Sequence, residues 1–329
     1  MGEAAADQET EEAFFQRITP ELEQIEVMRE VKLAAYLSRQ KMIWPLGVAV
    51  IACTLALDYF LTHHLFKSSF PIFPFCSVLA GFGLFIWMGK PQKDYVSIYK
   101  DNITPRIAKL VGLDIYQREG MIPISDMKDS RILPGFQNYW SEDYFEGRHR
   151  GARIRFAQVR FEARKRAEGL NISHHHSTRR DGHAIVFRGL ALVINIPSKP
   201  FEGHTILVKD KDRFSEWITA KLTGLDAMPL PDPSFDKMFS IFSDNRAEAG
   251  RLIDSAMLAR VAELQKVYRS QGVSVAFCGP AIVMLIAADK DFFEPANIAT
   301  PATGVESVRM IRRELQEIFK LIDDCGFVK

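Results

Sequence analysis

The chain has 329 residues, of which 47% are hydrophobic and 25% are charged, and its 42 Lys and Arg residues nearly balance its 41 Asp and Glu residues. A net charge of +1 lacks the basic excess of a general nucleic-acid binder, so we expect no nucleic-acid partner. The four cysteines are too few and too scattered for a disulfide framework or a zinc site, and are expected to be reduced, buried thiols. The length predicts about two or three domain-sized parts.

Residues 1–41 form the first predicted part. Residues 1–18 are acidic and rich in small and polar residues, which predicts a loose tail. Thr19-Pro20-Glu21 has the composition of a helix start, with a capping hydroxyl, a proline in the first turn and an early acid. Apolar residues at helical spacing then predict an amphipathic helix that packs on the soluble domain or lies along the membrane surface.

Residues 42–89 contain two long apolar runs, 42–61 and 70–88. Each run is close to the ~20 residues that a helix needs to cross a hydrocarbon core. Trp44 and Trp87 lie near the run ends, where aromatic residues favour the headgroup layer. The alternative is a buried hairpin of a soluble protein, but buried helices rarely stay apolar on every face. We therefore predict a transmembrane hairpin of two helices.

Basic residues predict the orientation of this hairpin. Lys and Arg residues flank the first run and follow the second, whereas the connector 63–69 has one lysine. The positive-inside rule then places both termini in the cytoplasm. Asp58 is the one acid within the runs and is a functional candidate, although its position near the helix end also allows a structural role at the interface. His63 and His64 are adjacent and do not face each other on a helix, so we expect them to solvate the turn.

Residues 90–329 are predicted to form a cytoplasmic α+β domain. Most consecutive strand patterns are separated by turns rather than helices, which favours a largely antiparallel sheet with packed helices over a parallel sheet. Three prolines predict a stiff joint within residues 226–235. Residues 119–140 carry glycine and proline and are interpreted as a connecting loop. Strand patterns cover residues 152–161, 184–196, 204–208, 239–242, 273–277 and 281–288, and helical patterns cover 95–113, 212–222, 245–272 and 308–322.

The strand pattern at 152–161 changes its parity, because Ile154 and Phe156 are followed by Val159 and Phe161. One extra residue near Ala157 would restore the facing, so we expect a β-bulge there.

The same region is locally basic, with eight Lys and Arg residues and one acid between residues 148 and 166. Arg153 and Arg155 are expected on the face opposite the apolar residues of the strand. We take Arg153, Arg155 and Arg160 as candidates for contact with anionic membrane lipids. The alternative is a solvated sheet face whose arginines pair with acids elsewhere in the chain.

No catalytic motif occurs in the sequence: it has no phosphate-binding GxxxxGK[ST] loop, GxSxG elbow, HExxH helix or CxxC pair. His174–His176 fall in a predicted loop, which cannot supply the converging geometry of a metal site, so we expect neither a metal nor a cofactor. His204 begins a strand and is the one histidine expected to be fixed in place. His204 and Asp58 are the two polar residues that we take as candidates for a functional role. Three acids follow a predicted strand and are expected to be solvated: Asp289, Asp291 and Glu294.

Four short motifs of strand and turn residues support a family resemblance. They are Phe145-Glu-Gly147, Val186-Phe-Arg-Gly-Leu190, the stretch from Pro197 to Thr205, and Phe239 to Asn245 with Glu248, Ala249 and Leu252. With them the chain resembles, over most of residues 20–329, a bacterial family of uncharacterised membrane proteins that have two N-terminal spans and a cytoplasmic domain of unknown function. The resemblance implies a bacterial inner-membrane location, and it assigns no catalytic residue.

These features predict a membrane-tethered cytoplasmic binding or scaffolding module. Its expected partners are membrane lipids and another protein, and oligomerisation stays open. One alternative is a membrane-associated enzyme with an unrecognised site that acts on lipid or envelope precursors, which a deep polar cleft with convergent acids and a histidine would favour. Another is an accessory subunit of a transporter, with Asp58 at a helix interface. A shallow apolar groove or an exposed sheet edge would favour binding.

Overall fold

A computed structural model describes residues 2–61, 73–164, 183–196, 200–209, 224–267 and 272–325. The predictions for His63, His64, His174–His176 and the helix 212–222 lie outside these residues, and for Asp58 only the backbone is described. The chain divides into two compact units. The first comprises Met1–Ile103 and Glu294–Arg309, and the second comprises Thr104–Phe293 and Met310–Lys329.

The first unit contains helix α1 (Gly2–Leu61) and helix α2 (Phe73–Asn102). The predicted loose tail and the predicted helix start at Thr19 are both wrong, since α1 is continuous from residue 2 and passes through Pro20 and Pro45. The N-terminal residues are rich in Ala, Glu and Gln, which are strong helix formers. The Thr19 hydroxyl donates to the carbonyl of Phe15 at 2.7 Å within the helix, so it does not cap a new one.

A single stretch of the described residues, Ala13–Leu57 of α1, is long and apolar enough to cross a membrane by length and composition. Its most apolar window is not buried at all. The described part of the second apolar run, 73–88, is helical but is not recognised as a membrane span. The structure thus has one long apolar N-terminal helix and not a hairpin of two recognised spans.

The helices α1 and α2 pack side by side in opposite directions. Lys32 pairs with Asp94 at 2.7 Å, and seven residues further along α1 the guanidinium of Arg39 donates to the carbonyl of Trp87 at 2.6 Å. Arg39 also lies 4.7 Å from the centre of the Trp87 ring. Because the partner numbers fall along α2 as they rise along α1, the two helices are antiparallel.

Among the described residues, the second unit is built on one nine-stranded sheet with the order β1-β2-β3-β4-β9-β8-β5-β7-β6, in which the neighbouring strands are antiparallel. This confirms the predicted α+β class with a large antiparallel sheet. The strands are β1 (Leu113–Gln117), β2 (Asn138–His149), β3 (Ala152–Arg164), β4 (His183–Asn195), β5 (Thr205–Lys209), β6 (Asp226–Met228), β7 (Phe239–Ser243), β8 (Gly272–Cys278) and β9 (Ala281–Ala287).

Helices lie before, between and after these strands along the chain. They are α3 (Thr104–Leu110), α4 (Ile124–Lys128), a 3₁₀ turn (Pro233–Phe235), α5 (Arg246–Leu252), α6 (Ser255–Val267) and α7 (Val305–Asp324). The predicted loop 119–140 is wrong in part, because it contains α4 and the start of β2. The predicted helical pattern at 308–322 is confirmed by α7, and its regularly spaced apolar residues form a buried face in which each is at most 1% exposed: Val308, Ile311, Leu315, Ile318 and Ile322.

Strand β3 is buried on both faces from Ile154 to Val159, which explains its change of parity. Ala157 and Val159 belong to a core with Met127 of α4, whereas the Phe156 ring on the other side stacks on the Phe145 ring at 4.9 Å. A strand covered on both sides needs no bulge to bury its apolar residues. The irregularity lies level with Ala157, as predicted, but in the neighbouring strand β2.

The register shows where the extra residue sits. Glu142 of β2 is opposite Gln158 and Phe145 is opposite Phe156, so three steps along β2 match two steps along β3. Asp143, inside this bulge, has a positive φ of 53°. The predicted position of the bulge within β3 is therefore wrong by one strand.

Candidate functional site

The structure does not bring the three candidate arginines together. Backbone alternation places Arg153 and Arg155 on one face of β3 and Arg160 on the opposite face. Arg155 is only 7% exposed, forms an ion pair with Asp126 of α4, and donates to Asn195 at 2.7 Å. Arg155 is therefore not exposed as contact with membrane lipids would require, because α4 covers that part of the sheet face.

Arg153 and Arg160 are both about half exposed but have different surroundings. Arg153 donates to Glu146 at 2.7 Å, and the same carboxylate accepts the Tyr144 hydroxyl at 2.6 Å. Burial acts to raise the pKa of Glu146, but the hydrogen bonds from Tyr144 and Arg153 outweigh it and hold that pKa below its ordinary value. Arg160 lies 5.6 Å from the Trp140 ring centre and pairs with Glu162 at 3.2 Å. No single surface joins the two arginines.

His204 is half-buried and lies immediately before β5. Its Nε2 lies 3.0 Å from the carbonyl oxygen of Ser130, and its backbone N–H donates to Asp244 at 2.6 Å. Burial lowers the pKa of His204 below 6.5, so the ring is neutral near pH 7. A carbonyl can only accept, so the neutral ring carries its proton on Nε2.

Two of the motifs that support the family resemblance meet beside His204. The N–H groups of Glu202 and Gly203 donate to the two carboxylate oxygens of Glu248 at 3.0 and 2.7 Å, and Asn245 caps α5 by accepting from the N–H of Glu248 at 3.1 Å. A Cβ at Gly203 would lie 2.4 Å from the Cβ of Asn245, so only glycine fits. We call these residues, with Asp244, the motif junction. It connects the loop before β5 to the start of α5.

Sequence reasoning missed the central role of Gln158. This side chain is 4% exposed, and its Nε2 donates to Glu142 and to Asp291 at 2.9 Å each. Its Oε1 accepts the N–H of Phe292 at 2.8 Å, and Arg188 pairs with Asp291. The turn after β9 is thereby fixed on the sheet, and Asp291 is engaged in structure. A polar residue between apolar neighbours in β3 was the available signal.

A second missed set of contacts lies in the first unit and joins both helices to the segment 294–302. The guanidinium of Arg29 on α1 donates to the carbonyl of Ile298 at 2.6 Å, and the side-chain oxygen of Gln92 on α2 accepts the N–H of the same residue at 3.1 Å. Ile298 is 1% exposed. Both polar backbone groups of one buried residue are therefore bound by side chains from two different helices.

The remaining contacts of this set use charged groups. Glu26 binds Arg29 at 2.5 Å and also accepts the N–H of Ala302 at 2.5 Å. Lys100 of α2, 4% exposed, pairs with Glu294 at 2.5 Å. Buried charges are costly unless they are paired, and both buried cations, Arg29 and Lys100, have an acid partner. We call Glu26, Arg29, Gln92 and Lys100 the helix clamp.

The three acids after β9 do not form a common centre. Asp291 belongs to the second unit and is bound by Gln158 and Arg188, whereas Glu294 belongs to the first unit and is bound by Lys100. Across the part of the chain that the structure describes, no group of three or more His, Cys, Asp or Glu side chains is placed to hold a metal ion.

Comparison with known proteins gives one family match, which covers part of the chain. No curated protein and no solved structure matches this chain. A family match runs from residue 185 in β4 to residue 326, just past α7, and includes the motif junction and the segment held by the helix clamp. Residues 185–326 match the model of the family described as "Protein of unknown function (DUF3137)".

Proposed function

We propose that this protein is a membrane-tethered binding or scaffolding module of the bacterial inner membrane. In this proposal α1 and the apolar part of α2 span the membrane as a two-helix hairpin, both termini are cytoplasmic, and the α+β domain presents its surfaces to lipids and to a protein partner in the cytoplasm. Basic residues beside both apolar runs, against one in the connector, support this orientation.

The observation that carries the proposal is the continuity of α1. One helix holds both the apolar run 42–61, in which no described side chain is buried, and the Glu26–Arg29 pair that binds the backbone of Ile298 and Ala302. A tether of this kind has a fixed geometry at the point where it leaves the apolar run, unlike a flexible linker. This supports a positioned module rather than a loosely anchored one.

The exposed apolar side chains of both helices support contact with lipid. Water-soluble monomers rarely expose a large contiguous apolar patch, and such patches mark membrane or protein contacts. The exposed residues include Met42, Trp44, Val48, Ile51, Leu55, Leu57, Tyr59 and Phe60 on α1, and Val78, Leu79, Phe82, Phe85 and Ile86 on α2.

An exposed sheet edge supports a binding role for the second unit. Within the described strands β1 is at one end of the sheet, so one side of its backbone has no strand neighbour. Its Ile115 is 40% exposed and its pairing with β2 is interrupted by an irregularity beside Leu113. Terminal strands are frequent places of peptide addition.

Fractionation of cells that express the full chain tests the tether. The protein is expected to stay in the membrane pellet after alkaline carbonate extraction, because only burial of the apolar stretch in lipid resists that treatment. Arg29→Met alters the helix clamp without altering the apolar run 42–61, and this variant is expected to stay in the pellet as well. Release of the unaltered chain by carbonate would contradict the proposal.

Co-purification from gently solubilised membranes tests the binding role. A protein that is recovered with the unaltered chain should be lost with Ile115→Asp, which puts a charge on the edge strand. It should be kept with Met121→Asp, a matched change at another exposed apolar residue outside the strand. Equal recovery with both variants would exclude the β1 edge as the binding surface.

A further inference from the structure

The sheet contains two pairs of arginines that lie directly opposite each other on neighbouring strands. Arg148 of β2 faces Arg153 of β3, and Arg160 of β3 faces Arg188 of β4. Like charges at directly opposed positions are destabilising. A nearby acid or an anion from outside the chain would reduce the repulsion in each pair.

The second pair has its acids. Arg160 binds Glu162 at 3.2 Å, and Arg188 binds Asp291. The two positive charges are matched by two carboxylates in the immediate surroundings. This pair is electrically complete without any ligand.

The first pair is not complete. Arg153 binds Glu146, but Glu146 also accepts from Tyr144, and Arg148 is exposed and has no hydrogen-bond or ion-pair partner among the residues that the structure describes. The two guanidinium groups thus have one carboxylate partner between them, Glu146, and it binds Arg153. The site has free N–H donors beside each other on one face of the hairpin.

The turn of the same hairpin adds a third guanidinium. Arg150 and Gly151, with φ of 47° and 84°, form the tight connection between β2 and β3. Arg150 is 53% exposed on its side chain and lies 3.1 Å from Asp323 of α7, an acid that His149 also binds, at 2.7 Å. Two contacts to α7 hold the turn in position, while most of the Arg150 donors stay free to bind an anion.

We propose that Arg148, Arg150 and Arg153, which we call the hairpin tip, bind the phosphate of anionic lipid headgroups. The proposal rests on the membrane tether above, because a tethered domain meets headgroups at high effective concentration. Guanidinium groups suit this ligand since their planar forks match phosphate oxygens. It replaces Arg155 and Arg160 of the sequence-based set, because one is buried against Asp126 and the other is matched by Glu162.

Hydrogen exchange on the full chain in lipid nanodiscs tests this site. One set of discs contains phosphatidylcholine alone, and the other contains phosphatidylcholine mixed with phosphatidylglycerol. The amides of residues 148–153 are expected to exchange several-fold more slowly in the anionic discs, and this protection should fall as salt is raised from about 0.1 M to about 1 M. Equal exchange in both kinds of disc would overturn the proposal.

Two variants with the same loss of charge separate the hairpin tip from a general effect. R148Q/R153Q should abolish the difference between the two kinds of disc, and R160Q/R188Q, which alters the matched pair on the same sheet, should keep it. Loss of the difference in both variants, or in neither, would overturn the assignment to the hairpin tip.

The source of the phosphate is distinguished by a third arm. Inorganic phosphate added to the neutral discs should give no protection of residues 148–153. Protection by inorganic phosphate alone would overturn the lipid assignment in favour of a soluble anion. Failure of the tether is recognised separately, because a chain without a membrane anchor does not enter nanodiscs of either composition.

Discussion

The guanidinium of Arg29 donates a 2.6 Å hydrogen bond to the carbonyl of Ile298, a residue 269 positions further along the chain. Arg29 is also bound to Glu26, and both Arg29 and Ile298 are buried. The bond therefore joins α1, which contains the apolar stretch, to the segment 294–302. This segment precedes α7 and lies within the residues that match the family. It is a direct link between the proposed membrane anchor and the matched domain within the first unit.

Substitution of Arg29 by Met should loosen this segment. The change leaves the Glu26 carboxylate without its cation and the Ile298 carbonyl without its donor, and removing one partner of a buried pair costs about 3 kcal/mol. Amide exchange at Ile298 and Ala302 should accelerate on the order of 100-fold. Glu30→Ala, at the neighbouring exposed position, is the control and should leave both rates unchanged. An Arg29→Met chain with unaltered exchange would show that the clamp does not hold the segment.

The buried face of α7 gives a second prediction. Leu315 is 0% exposed, and truncation of such a side chain leaves a cavity that its neighbours cannot fill. Leu315→Ala should lower the free energy of unfolding of the second unit by ~2–5 kcal/mol, measured by denaturant titration. Met310→Ala, at a position that is 41% exposed on the same helix, should change it by less than ~0.5 kcal/mol. Similar effects of both changes would contradict the assigned face.

These two predictions show what periodicity in a sequence can and cannot provide. The face of α7 repeats every three to four residues, so the sequence alone assigns Leu315 to the core. From the sequence alone, Arg29 is a cation that flanks an apolar run. Its partner Ile298 is 269 residues away, and no local pattern encodes such a contact. The role of the helix clamp therefore follows only from the three-dimensional arrangement of its residues.

The alternation of polar and apolar residues in a strand also predicts only part of the structure. The residues around Arg155 alternate as they would on a half-exposed strand, and this pattern does not reveal an interior strand of a wide sheet. Because β3 has neighbours on both edges and cover on both faces, its polar residues become internal connectors, as Arg155 does with Asp126 and Gln158 does with Asp291. The sequence predicts the position of His204 at a strand start but not its bond to Ser130.

Space around two glycines gives a third prediction. Gly203→Ala should destabilise the motif junction by about 1–3 kcal/mol, because the new methyl group would overlap the Cβ of Asn245 at 2.4 Å. Gly250 lies within α5, and nothing is within 4 Å of its Cβ position. Gly250→Ala should therefore stabilise the chain by about 0.5–1 kcal/mol. Thermal unfolding of both variants checks the pair, and a neutral Gly203→Ala would mean that the junction is loosely packed.

Titration of His204 gives the fourth prediction. Burial lowers its pKa in the folded state below the unfolded value of 6.5, so the unfolded chain binds the proton more readily. The contribution of neutral His204 to stability is complete above pH 6.5 and is lost as pH falls from 6.5 through the lowered folded pKa. His204→Gln keeps a hydrogen-bond donor for the Ser130 carbonyl and should flatten this part of the stability profile. An equally steep profile in the variant would assign the acid sensitivity to other groups.

The last prediction concerns the sidedness of the tether. Single cysteines at positions 10, 66 and 320 are introduced into a chain whose four native cysteines are replaced by serine or alanine. A membrane-impermeant maleimide added to intact cells should label position 66, in the connector between the apolar runs, and should not label positions 10 and 320. The reason is the lysine and arginine asymmetry, since basic segments are retained on the cytoplasmic side during insertion. After permeabilisation all three positions should react, which controls for access. Labelling of position 10 or 320 from outside would reverse the orientation, and failure to label position 66 would exclude a second span that returns the chain to the cytoplasm.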